Sequence, residues 1–146
     1  VYVGSAPVRG VSAVNVNIGL RLPAHAIANG KVQLAYQPQD QLNQILFGSN
    51  LKPYTERTQT DYMDFQEELA AIREKGYAIT KGEFHHGIQS VAAPIFERTG
   101  HVMAAINVVA TEKTFNSEFI EKIALPKVLE VSQMLSGFMG YHSNIN

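Results

Sequence analysis

Glycine followed by lysine at the front of a helix is the pair that cradles phosphate, and Gly30-Lys31 stands in that position within GLRLPAHAIANGK, residues 19–31. A phosphate loop also needs a glycine five residues before the Gly-Lys and a Ser or Thr directly after it. His25 and Val32 occupy those two places, so both the tight turn and the metal-binding hydroxyl are missing. Nucleotide binding is not expected here. The residues favour a packing role instead, in which Ala24, Ala26, Ala28 and Gly30 let a helix approach a sheet closely while Lys31 stays in solvent.

Metal ligation and covalent catalysis find equally little support. Of the five histidines, His85 and His86 are adjacent and point to opposite faces of extended chain, and no His-x-x-x-His pair exists for a helix face. Glu83 and His85 can share a face, but a third ligand would have to come from His25 or His101. Ser90 follows Gly87-Ile88-Gln89 rather than sitting in a Gly-x-Ser-x-Gly elbow. The acidic pairs Asp61/Asp64 and Glu67/Glu68 lie on a helix whose apolar stripe is Tyr62, Phe65, Leu69 and Ile72, so they read as its solvated face. An enzyme is not expected, nor any metal or cofactor.

Chain-wide properties narrow the class further. The 146 residues suit one domain, with 45% hydrophobic and 17% charged residues. The net charge of −1 without charged runs argues against a nucleic-acid surface within this segment. Cysteine is absent, which excludes disulfides and thiolate sites. No apolar stretch approaches the roughly 18 residues of a membrane span, so the expectation is a cytoplasmic protein with no membrane partner. Val1-Tyr2-Val3 enters a strand pattern at once, and the expectation is therefore the C-terminal domain of a longer chain.

The elements that position these residues follow from periodicity. Val1–Ala6 and residues 11–18 are predicted as strands, joined through Pro7-Val8-Arg9-Gly10. One helix is predicted from Ala24 to Tyr36, a second from Pro38 to Phe47, and a third over Asp61–Lys75 ended by Gly76. Tyr77–Thr80 is predicted as a short strand, and Ile88–Glu97 with His101–Ala110 as a hairpin around Arg98-Thr99-Gly100. Asn116-Ser117 caps a last helix from Glu118 to Met139, which Pro126 should kink. The order implies an α+β domain, an antiparallel sheet with helices packed on it.

Within the hairpin, Ser90, Ala92 and Pro94 share one face of the first strand, and Met103, Ala105, Asn107 and Val109 share one face of the second. Such small residues do not fill the space that Ile and Leu normally fill. Either a helix lies very close, or a cavity with a few polar groups opens there, the composition of a small-molecule pocket.

Taken in order, Gly19-Leu-Arg-Leu-Pro-Ala-His, Gly30-Lys31, Leu34-Ala35, Thr58-x-Thr60, Ile72-Arg73, Gly76-Tyr77-Ala78, Glu83, Gly87-Ile88-x-Ser90-Val91-Ala92-Ala93-Pro94 and Gly100-x-Val102-x-Ala104-Ala105-Ile106-Asn107-Val108 resemble the effector-binding domain of IclR-type transcriptional regulators over nearly the whole chain. The resemblance implies a GAF-like fold, a curved antiparallel sheet with flanking helices around a small-molecule pocket, and assembly as a homodimer or tetramer. It implies that residues 1–146 are the inducer-binding domain, with promoter DNA bound through an N-terminal winged helix-turn-helix that this chain does not contain. Leu125-Pro126 and Arg21-Leu22-Pro23-Ala24 are most similar to the PobR/PcaU branch, activators of aromatic-acid catabolism that respond to 4-hydroxybenzoate or protocatechuate.

Carried across position by position, the family's pocket implies Leu22, Ala28 and Asn29 at the front of the helix, Thr80 after the Gly-Tyr strand, Ser90 in the sheet, and Asn107 and Val109 in the last strand. Val109 and the alanines suit a partly apolar ligand better than a glyoxylate-like acid. An aromatic carboxylate needs a charged partner, and arginine holds both oxygens. Arg9 is the expected anchor, Arg21 the alternative, with Ser90, Asn107, Thr80 or His25 meeting the ring hydroxyl. The rival expectations are a regulator sensing a keto or sugar acid, an enzyme built on a similar pocket, and a ligand-free dimerisation module whose docked helix fills the Ser/Ala/Asn face.

Overall fold

The computed structural model describes residues 1–6, 16–48 and 50–142. A short 3-10 turn, Ala24–Ala26, leads into α1 (Ala28–Ala35), α2 (Gln39–Leu46) and α3 (Tyr62–Lys75). Three strands follow, β1 (Ala78–Lys81), β2 (Ile88–Phe96) and β3 (Val102–Thr111), and a last helix, α4, spans residues 117–138. Local signals account for much of this. The Asp61 carboxylate accepts from the backbone N–H groups of Met63 and Asp64 at the start of α3, and Gly76, with φ +80°, ends it in the left-handed conformation.

Among the described residues the sheet has three antiparallel strands in the order β1-β2-β3. Its register aligns Thr80 with Ser90 and Ser90 with Val109, then Ala78 with Ala92 and Ala92 with Asn107. Pro94 is accommodated in the central strand because β1 pairs only with residues 89–92, so among the described residues no strand pairs with β2 on that side at the proline.

Helices cover both faces. On one, Ala28, Val32 and Ala35 of α1 join Phe65, Leu69 and Ile72 of α3 against Ala78 and Ala92. On the other, Val91, Ala93 and Ala110 meet Phe115, Ile120, Ala124 and Val128. Two serines weld α4 to β2: Ser132 Oγ donates to the Pro94 carbonyl at 2.6 Å, and Ser136 Oγ accepts from the Phe96 N–H at 3.0 Å. Arg73 of α3 reaches the end of α1, donating to the Ala35 carbonyl at 2.5 Å and the Gln37 carbonyl at 2.8 Å.

Two expectations are corrected. Residues 1–6 and 16–18 form no strand; a single pair of backbone bonds links Tyr2 to Gly19 and Leu20. Val1, Val3 and Ile18 are exposed, whereas Tyr2 and Val16 are half-buried; residues 7–15 lie outside the described residues. The helix predicted from Ala24 to Tyr36 is broken at Ile27, whose backbone is extended (φ −129°, ψ 145°). At Pro126, where a kink is expected, a π turn, Ile120–Ala124, lies directly upstream, in which the Leu125 N–H reaches back five residues to the Ile120 carbonyl.

Candidate functional site

The break at Ile27 lets the 3-10 turn fold back over α1. A Cβ on Gly30 would stand 2.3 Å from both the Cα and the carbonyl oxygen of Ala24, so only glycine permits this approach. Gly30 thus brings one stretch of backbone against another, while Ala28 packs α1 on the sheet at Ala78 and Ala92 as expected. With the chain turned this way, Leu22, Ala26 and Ile27 form one wall of a cavity of about 270 Å³.

The floor is the sheet face singled out by its small residues. Thr80, Ser90, Asn107 and Val109 come together there, because the register places Thr80, Ser90 and Val109 side by side on three neighbouring strands. Leu20, Phe84 and Ile88 add an apolar rim, and Tyr2 and Val16 also line the space. Arg21 is exposed and does not line the cavity, and Ala28 is buried in the helix-covered core instead. Arg9 lies outside the described residues.

Polar groups at the sheet end form a chain. Asn29 Nδ2 donates to Asn107 Oδ1 at 3.2 Å, and Asn107 Nδ2 donates to Ser90 Oγ at 3.2 Å. Asn29 thus sits behind the cavity wall and orients Asn107 rather than lining the space itself. The Tyr2 phenol also hydrogen-bonds Asn107; burial pushes its pKa up, and that bond partly opposes the shift. Ser90, its oxygen already engaged as an acceptor, keeps its hydroxyl proton to donate. His25 faces elsewhere, with Nε2 3.0 Å from the Lys52 carbonyl and its ring against Tyr54 and Phe65.

The loop after β1 supplies the cavity's acidic edge, Glu83, with His85 beside it. Lys31 is not solvated: it is 1% exposed, its Nζ donates to Glu68 at 2.5 Å and to Glu83, and it lies 5.8 Å from the centre of the Phe65 ring. Nor does Glu68 belong to a solvated face, since it is the partner that α3 offers this lysine. Burial raises the Glu83 pKa, and the nearby Lys31 charge pulls it part of the way back. Glu83 is paired with Lys31, while His85 Nδ1 lies 3.0 Å from the His86 carbonyl.

A further loop fixes Glu83 in place. Thr58 Oγ1 donates to the Glu83 carbonyl at 2.6 Å and accepts from the Tyr54 and Thr55 N–H groups, while Thr55 Oγ1 donates to the Gly82 carbonyl at 2.7 Å. Tyr2, Phe84 and the role of Glu83 escaped the sequence reading. Spacing does not single out Lys31, because all of α1 except Gln33 is buried.

Comparison with known proteins shows the family. The family described as Bacterial transcriptional regulator IclR C-terminal matches residues 1–137. The chain is 34% identical over 125 residues to the HTH-type transcriptional regulator KdgR of Escherichia coli K12, covering 86% of this chain and 47% of that protein. It is 30% identical over 129 residues to the Pca operon regulatory protein of Acinetobacter baylyi, covering 88% and 46%. Among solved structures, the inducer-binding domain of a PobR double mutant from Acinetobacter, in complex with 3-hydroxybenzoic acid, superposes with a TM-score of 0.79 at 28% identity, covering 84% of this chain and 72% of that one. The chain spans about half the length of the regulators it matches in sequence. These relatives are transcriptional regulators rather than enzymes, and the chain belongs to the IclR family as its C-terminal, effector-binding domain.

Proposed function

We propose that the cavity senses a small aromatic carboxylic acid of the 4-hydroxybenzoate or protocatechuate type, and that the whole protein uses it, as a homodimer or tetramer, to activate transcription of catabolic genes. The observation that carries this reading is the composition of the wall: Leu22, Ile27, Phe84, Ile88 and Val109 surround a few hydroxyl and amide groups on Thr80, Ser90, Asn107 and Tyr2. A ring suits the apolar part and its hydroxyl suits the polar end. Similarity to a Pca regulator and to a PobR domain bound to a hydroxybenzoate adds support. Ligand binding stabilises one arrangement of the domain over another and so biases a DNA-binding domain attached to it.

A thermal-shift series with 4-hydroxybenzoate, protocatechuate, keto acids and sugar acids tests the reading. At a hundredfold excess over Kd the folded state gains about 2.7 kcal/mol, or roughly 5–10 °C in Tm for a chain of this size. Hydroxybenzoates should produce that shift. Stabilisation by sugar or keto acids alone transfers the site to that ligand class, and no shift with any acid removes the acid-sensing assignment.

A further inference from the structure

We propose that the cavity takes its organic acid together with one proton, and that Glu83 carries that proton. The inference rests on the acid-sensing reading above and deepens it. Among the described residues no lysine or arginine lines the cavity; the ionisable groups on its wall are Tyr2, Glu83 and His85. A sphere of 270 Å³ is about 8 Å across, so a carboxylate inside it stands close enough to Glu83 for the two like charges to oppose each other.

Lys31 does not resolve that conflict. It comes from α1, does not line the cavity, and its Nζ is shared between Glu68 of α3 and Glu83. The three side chains together carry a charge of −1. An acid that enters with a proton on Glu83 leaves this local charge unchanged: the ligand's carboxylate takes over the negative charge that Glu83 gives up, and Lys31 stays paired with Glu68. The proton comes from solvent and ends on a Glu83 carboxyl oxygen at the edge of the cavity. Glu83 is suited to this, because burial already holds its carboxyl above the ordinary range. The groups facing it are Lys31, Glu68, His85 on the same loop and, across the cavity, Tyr2. Of these, His85 is the rival proton carrier.

The sign is fixed by linkage. A group whose pKa rises on binding takes up a proton, so affinity is greatest at low pH and falls as pH rises, by up to about tenfold per pH unit for one proton. Titration calorimetry of the wild-type chain with 4-hydroxybenzoate at pH 6, 7 and 8, in phosphate and in Tris, reads proton uptake from the difference in heats. Uptake approaching one proton, with affinity falling as pH rises, is the expected result. Glu83→Gln should bind with uptake near zero and a flat pH profile, and His85→Gln should keep the uptake. Absence of uptake in the wild type, as when Arg9 supplies the counter-charge, overturns the proposal, as does uptake that persists in Glu83→Gln or disappears in His85→Gln. If Glu83→Gln does not fold, the wild type and His85→Gln decide. Binding without uptake sinks this proposal and leaves the acid sensor standing; no heat and no thermal shift with any acid sinks both.

Discussion

One face of the sheet does two different things. At its Ala92 end, Ala78 and Ala92 lie beneath α1 and join a core with Ala28, Val32 and Phe65. At its Ser90 end, Thr80, Ser90 and Val109 open onto a cavity. Side chains are small at both ends, so size alone decides neither outcome. What differs is the path of the chain above: Gly30 draws α1 down against Ala24, and the extended Ile27 carries the backbone away to form a wall instead of a lid. A surface of small residues permits close helix docking or a cavity, and here one glycine and one broken helix produce both within a few residues.

The largest effects should follow from disturbing the helix-covered end. Lys31→Met leaves Glu68 and Glu83 without their buried cation, and because Glu68 is 31% exposed the cost should fall near the lower end for broken buried pairs, about 3 kcal/mol by urea denaturation. Gly30→Ala places a methyl against the Ala24 backbone and should cost about 2–3 kcal/mol. A fully stable Gly30→Ala variant would mean that the close approach does not hold α1 in position.

A matched pair of fillings separates the two ends directly. Ala92→Leu, where the residue is 0% exposed, should overpack the core and cost about 1–3 kcal/mol. Val109→Phe adds comparable bulk over the cavity and should cost less than about 1 kcal/mol while abolishing the ligand-induced rise in Tm. Equal stability losses in the two variants would show that the Ser90 end is as tightly packed as the Ala92 end.

Local chemistry made much of this fold legible. Asp61 and Gly76 delimit α3, and alternation in β2 and β3 identified the face that holds Ser90, Asn107 and Val109 before its surroundings were visible. Features that depend on distant partners were not legible in the same way. Lys31 looked solvated because its carboxylates lie 37 and 52 residues away, and the break at Ile27 depends on a backbone contact that no periodicity encodes. The Ala24–Tyr36 stretch has helical composition throughout, yet tertiary packing prevails over propensity there. Leu22, Thr80, Ser90, Asn107 and Val109 line the cavity, whereas Ala28 and Asn29 lie behind its wall and Arg21 outside it.

The smallest expected effects probe the polar end. Asn107→Ala removes the hub between Asn29, Ser90 and Tyr2 and should lower hydroxybenzoate affinity about tenfold, with a stability loss near 1 kcal/mol. Glu83 should also tilt the pH dependence of stability. Its folded pKa lies above the ordinary 4.5, so its contribution is fully present below that value and is lost as pH rises through the folded pKa. The stability of Glu83→Gln relative to wild type should therefore rise between pH 4.5 and 7, and an offset independent of pH would contradict the direction of the shift.

Titrating the isotopically labelled chain with 4-hydroxybenzoate and following its amide resonances tests most directly which end of the sheet receives the ligand. Shifts concentrated on Thr80, Ser90, Asn107 and Val109, with Ala78 and Ala92 nearly still, are the predicted result; shifts centred on the helix-covered end, or none at saturating acid, would contradict it.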